Sequence, residues 1–349
     1  MEAKKYDYLD CIRGMGVLLV VFVHTTYVTN TIFMYTGTIW GDIILSFRNC
    51  IQLFFISSAF ALTMSYFNRI DEKNKTRNFF IRRFFRIAPL YYIAIVAATV
   101  KFIFDEGSFS IGGLITNMLF INGLFPEYSN RYVPGGWSIS VEYVFYFMMP
   151  FLCSRIRSLN SALIFVLVSF VFSAISRYIL TETGFDYEYI YYSIFSQLPI
   201  FAIGMLVYWI LNDSISNVKA ITILMIAGVL VFFTFAEVPQ FYIYGVISLF
   251  YVLALHKKPF KLFVNKVFIH MGRVSLSMYI VHFGVISVMV RLGAFMDVEG
   301  TWQVLLSVLG MYILITYVSY IISHFTYKYI EVAGQNLGKK LIKKLDQRQ

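Results

Sequence analysis

Long apolar segments recur along the whole chain, and they limit its possible folds more than any other feature of the sequence. A helix needs about 20 consecutive apolar residues to cross a bilayer, and windows of that length occur from the first 30 residues to beyond residue 300. Hydrophobic residues make up 59% of the chain and charged residues 14%. That composition is not typical of a soluble domain. The sequence therefore predicts an all-α polytopic membrane protein.

The apolar windows define about ten transmembrane helices. They lie near residues 12–30, 43–66, 84–104, 137–153, 159–180, 190–211, 220–236, 239–256, 273–291 and 302–326. Every second connection carries Lys, Arg or both, whereas the others carry mostly Asp and Glu. Because basic residues gather on the cytosolic side of membranes, this alternation predicts that both termini are cytosolic. No small-residue cleavage site follows the first apolar segment, so we expect it to remain as a membrane helix.

The chain reads as one membrane domain over residues 1–335, followed by a short basic cytosolic tail over residues 336–349 that we expect to contact the inner leaflet. No appended soluble domain is expected. The net charge of +10 is spread over short blocks between apolar segments, which indicates membrane orientation and no nucleic-acid partner. The three cysteines show neither metal-ligand nor disulfide spacing, so no metal site is predicted.

The first helix carries two ionisable residues, Arg13 and His24. Such residues are costly inside a bilayer and commonly mark a functional site. Eleven residues correspond to about three turns and a rise of about 16 Å, so both side chains share one face. Histidine suits proton transfer because its ordinary pKa is near 6.5. The alternative is a structural, hydrogen-bonded histidine beside an arginine that reaches the membrane surface.

A second basic group, Arg82, Arg83 and Arg86, lies where the third predicted helix begins. Arginine forks at a membrane surface can bind a polyphosphate through paired hydrogen bonds. Ordinary positive-inside charge is the alternative explanation.

A polar stripe begins the fourth predicted helix, after Trp137. Ser138, Glu142 and Tyr146 recur at four-residue spacing and therefore share one face. Glu142 and His24 lie at similar depths below the outer ends of their helices, so we expect the carboxylate to meet the imidazole and fix its tautomer. Ser138 could instead be a helix cap, with Glu142 favoured by the helix dipole.

The ninth predicted helix carries Tyr279 and His282. His282 lies about 14 Å from the cytosolic end of that helix by its rise per residue. We expect it to line the same cavity as His24.

Taken together and in order, these motifs resemble the membrane acyltransferase family 3. The segments that carry the resemblance are Arg13 with His24, Gln52–Phe60, the arginines through Tyr92, Trp137–Glu142, Gly272–His282 and Tyr329–Lys340. They cover nearly the whole chain. Two positions depart from the family pattern: Ala59 stands where many relatives have glycine, and Tyr143 where a second acidic residue often occurs.

The resemblance implies a ten-helix O-acyltransferase of the bacterial plasma (inner) membrane. Such an enzyme moves an acyl group, commonly acetyl, from cytosolic acyl-CoA to a hydroxyl of a surface or exported polysaccharide or glycolipid. Acyl-CoA is a co-substrate, and no permanently bound cofactor is expected. By resemblance, His24 would be the catalytic centre, assisted by Glu142 and Ser138, and the donor phosphates would be bound by Arg13, Arg82, Arg83 and Arg86. Apart from the resemblance, we expect the cavity wall to include Trp137, Tyr146, Tyr279 and His282.

A different class of function is also compatible with intramembrane ionisable residues. His24, Glu142 and His282 could form the proton relay of a transporter or flippase. A lipid or small-molecule acylase would share the donor site and differ only in its acceptor. The acceptor, the acyl chain length, the choice between direct transfer and an acyl-histidine, and the oligomeric state are left open by the sequence.

Overall fold

The computed structural model describes residues 6–29, 37–212, 239–294 and 301–347. Over these residues the protein is all-helical and contains no β-strand, which agrees with the predicted fold class. In chain order the α-helices are α1 (Asp7–Val28), α2 (Ile39–Ser46), α3 (Ile51–Phe67), α4 (Lys75–Glu106), α5 (Ile111–Met118), α6 (Gly136–Arg155), α7 (Leu159–Glu182), α8 (Tyr187–Tyr192), α9 (Ile194–Asn212), α10 (Gln240–Lys257), α11 (Lys266–Arg273), α12 (Ser275–Arg291), α13 (Thr301–Thr326) and α14 (Val332–Asp346).

Six helical segments among the described residues are long and apolar enough to cross a membrane, and the pair α11 and α12 adds a seventh if it forms one bent span. The chain is therefore a multi-pass helical membrane protein. The predicted segments 137–153 and 239–256 are also helical, as α6 and α10. The predicted helix over 220–236 lies outside the described residues, so the number ten stays a prediction.

Helix α4 begins at Lys75, about nine residues before the predicted start. The apolar window detects only the part of a helix that lipid can cover, whereas Lys and Arg also favour helix and extend it beyond the apolar part. Asn74, with a φ of 55°, marks the start of α4. Arg82, Arg83 and Arg86 consequently lie inside one rigid helix and not in a connection before it.

The predicted helix over 273–291 is bent: α11 and α12 meet at an angle of 74°. Helix α11 crosses α1 with the two backbones in contact, because a Cβ atom on Gly272 would lie 1.8 Å from the carbonyl oxygen of Asp10. On the other side of the contact, a Cβ atom on Gly14 would lie 2.3 Å from the Phe268 carbonyl oxygen. Only glycine permits this approach, which sets the polar face of α1 against the start of α12.

Side-chain contacts define two ends of the helical bundle. At one end the Tyr8 hydroxyl lies 3.0 Å from His256 Nδ1, and the last residue of α14, Asp346, forms an ion pair with Arg77 near the start of α4. The predicted tail is therefore helical and held against α4. At the opposite end, Asp105 pairs with Arg291. The Asp346 pair places the C-terminal helix beside the basic start of α4. The side of the membrane that each end faces stays a prediction.

Candidate active site

Helix α1 supplies Arg13 to a polar region near the basic end of the bundle. The Arg13 side chain is 16% exposed and lies 3.7 Å from the Asp10 carboxylate. Its Nη2 atom donates a hydrogen bond of 3.5 Å to the main-chain carbonyl of Ser57 on α3. These partners hold the guanidinium between α1 and α3 and leave most of its donors for a ligand.

A small cavity of about 70 Å³ opens beside Arg13. Arg13, Arg86 and Glu142 are the charged residues in its wall. The other lining residues are Ile51, Phe54, Phe55, Ser58, Ile87, Ser138, Ile139, Tyr146, Ser275, Leu276 and Tyr279. Two guanidinium groups and one carboxylate give this cavity a net positive charge, which favours an anionic ligand.

Glu142 faces this cavity and not His24, so the predicted pair of Glu142 with His24 is wrong. The Glu142 carboxylate accepts a hydrogen bond of 2.7 Å from the Tyr146 hydroxyl, one turn along α6. It accepts a second from the Ser58 hydroxyl of α3. A similar predicted depth along two helices does not determine which neighbouring helix a side chain meets.

Ser138 lies at the first turn of α6 and contacts α12. Its Oγ atom is 2.8 Å from the Tyr279 hydroxyl and 2.9 Å from the Gly135 carbonyl oxygen. Ser138 does not cap the helix: the residue before α6 is Gly135, and no side chain caps that end. Ser138, Glu142 and Tyr146 all line the cavity, so the three form one polar stripe in the structure.

His24 pairs with His282. The Nδ1 atom of His24 lies 3.0 Å from Nε2 of His282, and the two rings are stacked with centroids 5.1 Å apart. The ring of Phe283 lies 4.6 Å from that of His24. His282 is fully buried, whereas His24 is partly exposed. Of the two imidazoles, His24 is therefore the less buried.

Aromatic rings connect the cavity wall to this histidine pair. Tyr279, which lines the cavity, has its ring 5.9 Å from that of His282 and 6.1 Å from that of Phe283. His24 itself is not among the lining residues. The polar cavity and the histidine pair are thus adjacent compartments, separated by the Tyr279 and Phe283 side chains.

The structure separates the three arginines of α4. Arg86 lines the cavity. Arg83 lies among aromatic rings, 5.6 Å from that of Phe79 and 6.0 Å from that of Tyr146. Arg82 does not contribute to the cavity wall and pairs with Glu72 instead. The three guanidinium groups therefore do not form the single cluster that the sequence predicts. Arg82 and Arg86 are one turn apart on α4, but the Glu72 carboxylate binds only Arg82.

Arg82 and Glu72 form a two-pronged ion pair, with N–O distances of 2.7 and 2.9 Å. Partial burial alone would raise the pKa of Glu72. The hydrogen bonds from Arg82 and Asn78 outweigh that effect and hold the pKa below its usual value. This pair fixes the turn before α4, and both Nη atoms of the Arg82 guanidinium are bound by Glu72.

Trp137 does not line the cavity, contrary to the prediction. Its ring lies 4.6 Å from that of Tyr192, stacked, and 6.0 Å from that of Phe55. The side chain is 7% exposed. Trp137 therefore fixes α6 against α3 and α8, and so positions Ser138 next to it.

Asp10 and Ser58 are site residues that the sequence analysis did not assign. Asp10 lies 3.7 Å from Arg13 and 3.9 Å from Arg273, and its spacing of three residues before Arg13 could have indicated this pair. Ser58 belongs to the segment Gln52–Phe60, but its bond to Glu142 joins residues 84 positions apart. No local pattern predicts such a contact.

Metal-ligating side chains do not cluster in the part of the chain that the structure describes: no group of three or more His, Cys, Asp or Glu residues could hold a metal ion there. Cys11, Cys50 and Cys153 are buried and free.

The fold and the site together define a class of protein: a multi-pass helical membrane protein with a positively charged cavity beside a histidine pair. The chain matches the family model described as an acyltransferase domain over residues 6–324. It therefore belongs to acyltransferase family 3 and is an enzyme that transfers acyl groups. It is also similar to a protein of Acidianus two-tailed virus named "Putative acetyltransferase ORF330", with 22% identity over 227 residues that cover 61% of this chain and 67% of that protein. No solved structure matches the chain.

Proposed function

We propose that this protein is an O-acyltransferase that moves an acyl group, acetyl in the simplest case, from acyl-CoA to a hydroxyl of a cell-surface or exported carbohydrate. The observation that carries the proposal is the position of the Arg13 and Arg86 cavity next to the His24 pair. A long donor with phosphates at one end and a thioester at the other needs this order of sites: fixed positive charge first, then a base.

Arg13 and Arg86 bind the donor phosphates in this proposal. Both side chains belong to rigid helices, and both line one cavity. Arginine is suited to this role because its planar fork matches phosphate oxygens and stays charged at every relevant pH. Arg82 and Arg83 act indirectly, by holding the start of α4 and Tyr146.

His24 is the general base. It takes the proton of the acceptor hydroxyl on its Nε2 atom as the hydroxyl oxygen attacks the thioester carbonyl. The resulting tetrahedral intermediate collapses with cleavage of the C–S bond, and His24 returns the proton to the departing CoA thiolate. The products are the O-acyl ester and free CoA, so atoms and protons balance. For the thioester to reach His24, the Tyr279 and Phe283 side chains must make room.

The same proposal places the protein in a bacterial plasma membrane, with the end that holds Arg13 and Arg86 toward the cytosol. Basic connections gather at that end, and positive charge is retained on the cytosolic side of membranes. The acceptor then arrives from the opposite end, where the ion pair of Asp105 with Arg291 lies.

The test is transfer of label from radiolabelled acetyl-CoA to the glycan fraction of cells that express the protein. His24→Ala removes the base, and we expect transfer to fall by about 10²- to 10⁴-fold, the range for general acid–base groups. Binding of acetyl-CoA should persist. His270→Ala is the matched control, because His270 is an exposed histidine on α11 outside the cavity wall. Transfer by His24→Ala at the rate of His270→Ala would refute the mechanism.

A second assay, with the protein in proteoliposomes, distinguishes the acyltransferase from the transporter alternative. A flippase moves a labelled glycolipid across proteoliposomes without acetyl-CoA, whereas an acyltransferase leaves label from acetyl-CoA covalently attached to the glycan. Movement of the glycolipid across the membrane without covalent attachment of label from acetyl-CoA would refute the proposal and favour a flippase.

A further inference from the structure

His282 is a buried residue of the site to which the proposed donor binding assigns no role. It is fully buried and does not line the cavity. Both of its ring nitrogens nevertheless have partners at hydrogen-bond distance. Nε2 lies 3.0 Å from Nδ1 of His24, and Nδ1 lies 3.0 Å from the main-chain carbonyl oxygen of Met278, one turn earlier on α12.

The Met278 carbonyl determines where the protons of this pair are. A carbonyl oxygen can only accept, so Nδ1 of His282 carries a hydrogen and donates it. A neutral imidazole has one N–H, which leaves Nε2 of His282 as an acceptor. His24 must then donate from Nδ1. Its remaining nitrogen, Nε2, keeps a free lone pair.

A charged His282 is the other arrangement that the distances allow, and the surroundings oppose it. The rings of Tyr279, Phe283 and His24 surround the imidazole, and its hydrogen-bond partners are a neutral ring and a carbonyl. A buried cation without a carboxylate partner is strongly disfavoured. The neutral arrangement is therefore the ground state.

We propose that His282 is a positioning residue that holds His24 in the tautomer protonated on Nδ1 and so leaves Nε2 as the base. This inference rests on the proposed role of His24. In hydrolase triads a carboxylate fixes the tautomer of the catalytic histidine. Here a second imidazole, itself oriented by a helix carbonyl, does so without placing a negative charge among apolar rings.

The arrangement also stops proton flow at the pair. During transfer His24 gains a proton on Nε2 and later loses the same proton to the CoA thiolate, while its Nδ1–H continues to donate to His282. Beyond His282 lies the Met278 carbonyl, which has no proton to pass on. A relay through His282 toward Glu142, as in the transporter alternative, therefore has no next donor.

Two substitutions separate the positioning role from simple packing. His282→Leu fills the site but removes the acceptor for His24 Nδ1–H, whereas His282→Gln keeps an oxygen acceptor near the position of Nε2. We expect His282→Leu to lower kcat for transfer from acetyl-CoA by about 10²-fold or more, since a wrong tautomer costs about 10⁴-fold in the serine protease triad. The KM for acetyl-CoA should change less than twofold. His282→Gln should recover at least tenfold of the lost kcat.

The tautomer itself is read by ¹⁵N NMR of histidine-labelled protein in detergent, which distinguishes the two ring nitrogens by their couplings to the ring protons. The His24 signals are assigned by their loss in His24→Asn. We expect Nδ1 of His24 to be protonated in the wild-type protein and in His282→Gln, and a shift toward the other tautomer in His282→Leu.

The outcomes separate the two hypotheses. A wild-type His24 protonated on Nε2 would overturn the inference whatever the activity. Equal kcat for His282→Leu and the wild type would also overturn it. A wild-type protein that shows the expected tautomer but transfers no acetyl group would refute the proposed function and leave the tautomer assignment standing. Because the wild-type spectrum decides the tautomer, the test does not depend on the folding of either variant.

Discussion

The cavity beside Arg13, where we propose that the donor binds, lies next to the histidine pair. The cavity wall is charged, whereas the histidine pair is neutral and lies among aromatic rings. The cavity contains Arg13, Arg86 and Glu142, each held by ionic partners, hydroxyls or a rigid helix. Among the residues that the structure describes, the histidine pair has no charged hydrogen-bond partner and is surrounded by aromatic rings. The difference indicates a division of labour in which charge binds the donor and neutral imidazoles carry out the chemistry. Cavity variants should therefore change KM, and histidine variants kcat.

The largest cavity effect should come from Arg86→Ala. Loss of a charge-assisted contact to phosphate costs about 1.5–3 kcal/mol, which corresponds to a rise of about 10- to 100-fold in the KM for acetyl-CoA. The kcat should stay within about threefold of the wild-type value if chemistry is separate from phosphate binding. Steady-state kinetics at varied acetyl-CoA would measure both.

Arg82→Ala is the matched control for that measurement. The variant also removes an arginine side chain from α4, but the guanidinium of Arg82 is already bound by Glu72. We expect the KM to rise less than about threefold, because no ligand contact is lost. Equal effects at the two positions would mean that the ion pair opens when the donor binds.

A smaller effect of opposite sign should follow from Glu142→Gln. The amide keeps an oxygen for Ser58 and Tyr146 but removes the negative charge opposite the donor. With water-like screening in the open cavity, at a dielectric constant of about 80, a charge about 4–8 Å away contributes about 0.5–1 kcal/mol. The KM for acetyl-CoA should fall about two- to fivefold. If instead kcat fell about 10³-fold, Glu142 would belong to the proton path, and the separation of cavity and histidine pair would be incorrect.

The smallest effect concerns the stability of the turn before α4. Because hydrogen bonds lower the folded-state pKa of Glu72, its ion pair with Arg82 stabilises the protein above the unfolded-state pKa of about 4.3. That contribution is lost as the pH falls through the lower folded-state value. Glu72→Gln should lower stability by at most about 1 kcal/mol at pH 7. Thermal unfolding in detergent should show the difference from wild type shrinking below pH 4.3, and a constant difference down to pH 3 would contradict the assignment.

Sequence reasoning succeeded where a property depends on one helix. The common face of Ser138, Glu142 and Tyr146, which all line the cavity, follows from 3.6 residues per turn. It failed where a property depends on two. Glu142 meets Ser58 instead of His24, and Trp137 packs on Tyr192 instead of lining the cavity. The rotation of a helix about its own axis, which decides which neighbour each side chain meets, is set by packing between helices. No local sequence pattern encodes it.

The sequence by itself determined that this chain is a helical membrane protein, that its first helix carries a polar face and that its motifs belong to an acyltransferase family. These conclusions depend on hydrophobic length, on helical period and on the cost of ionisable groups in lipid. Only the tertiary structure decided that His282 is the partner of His24 and that Arg86, among the three arginines of α4, faces the cavity. His24 and His282 are 258 residues apart, and the close crossing of α1 and α11 at Gly272 sets α1 against the start of α12.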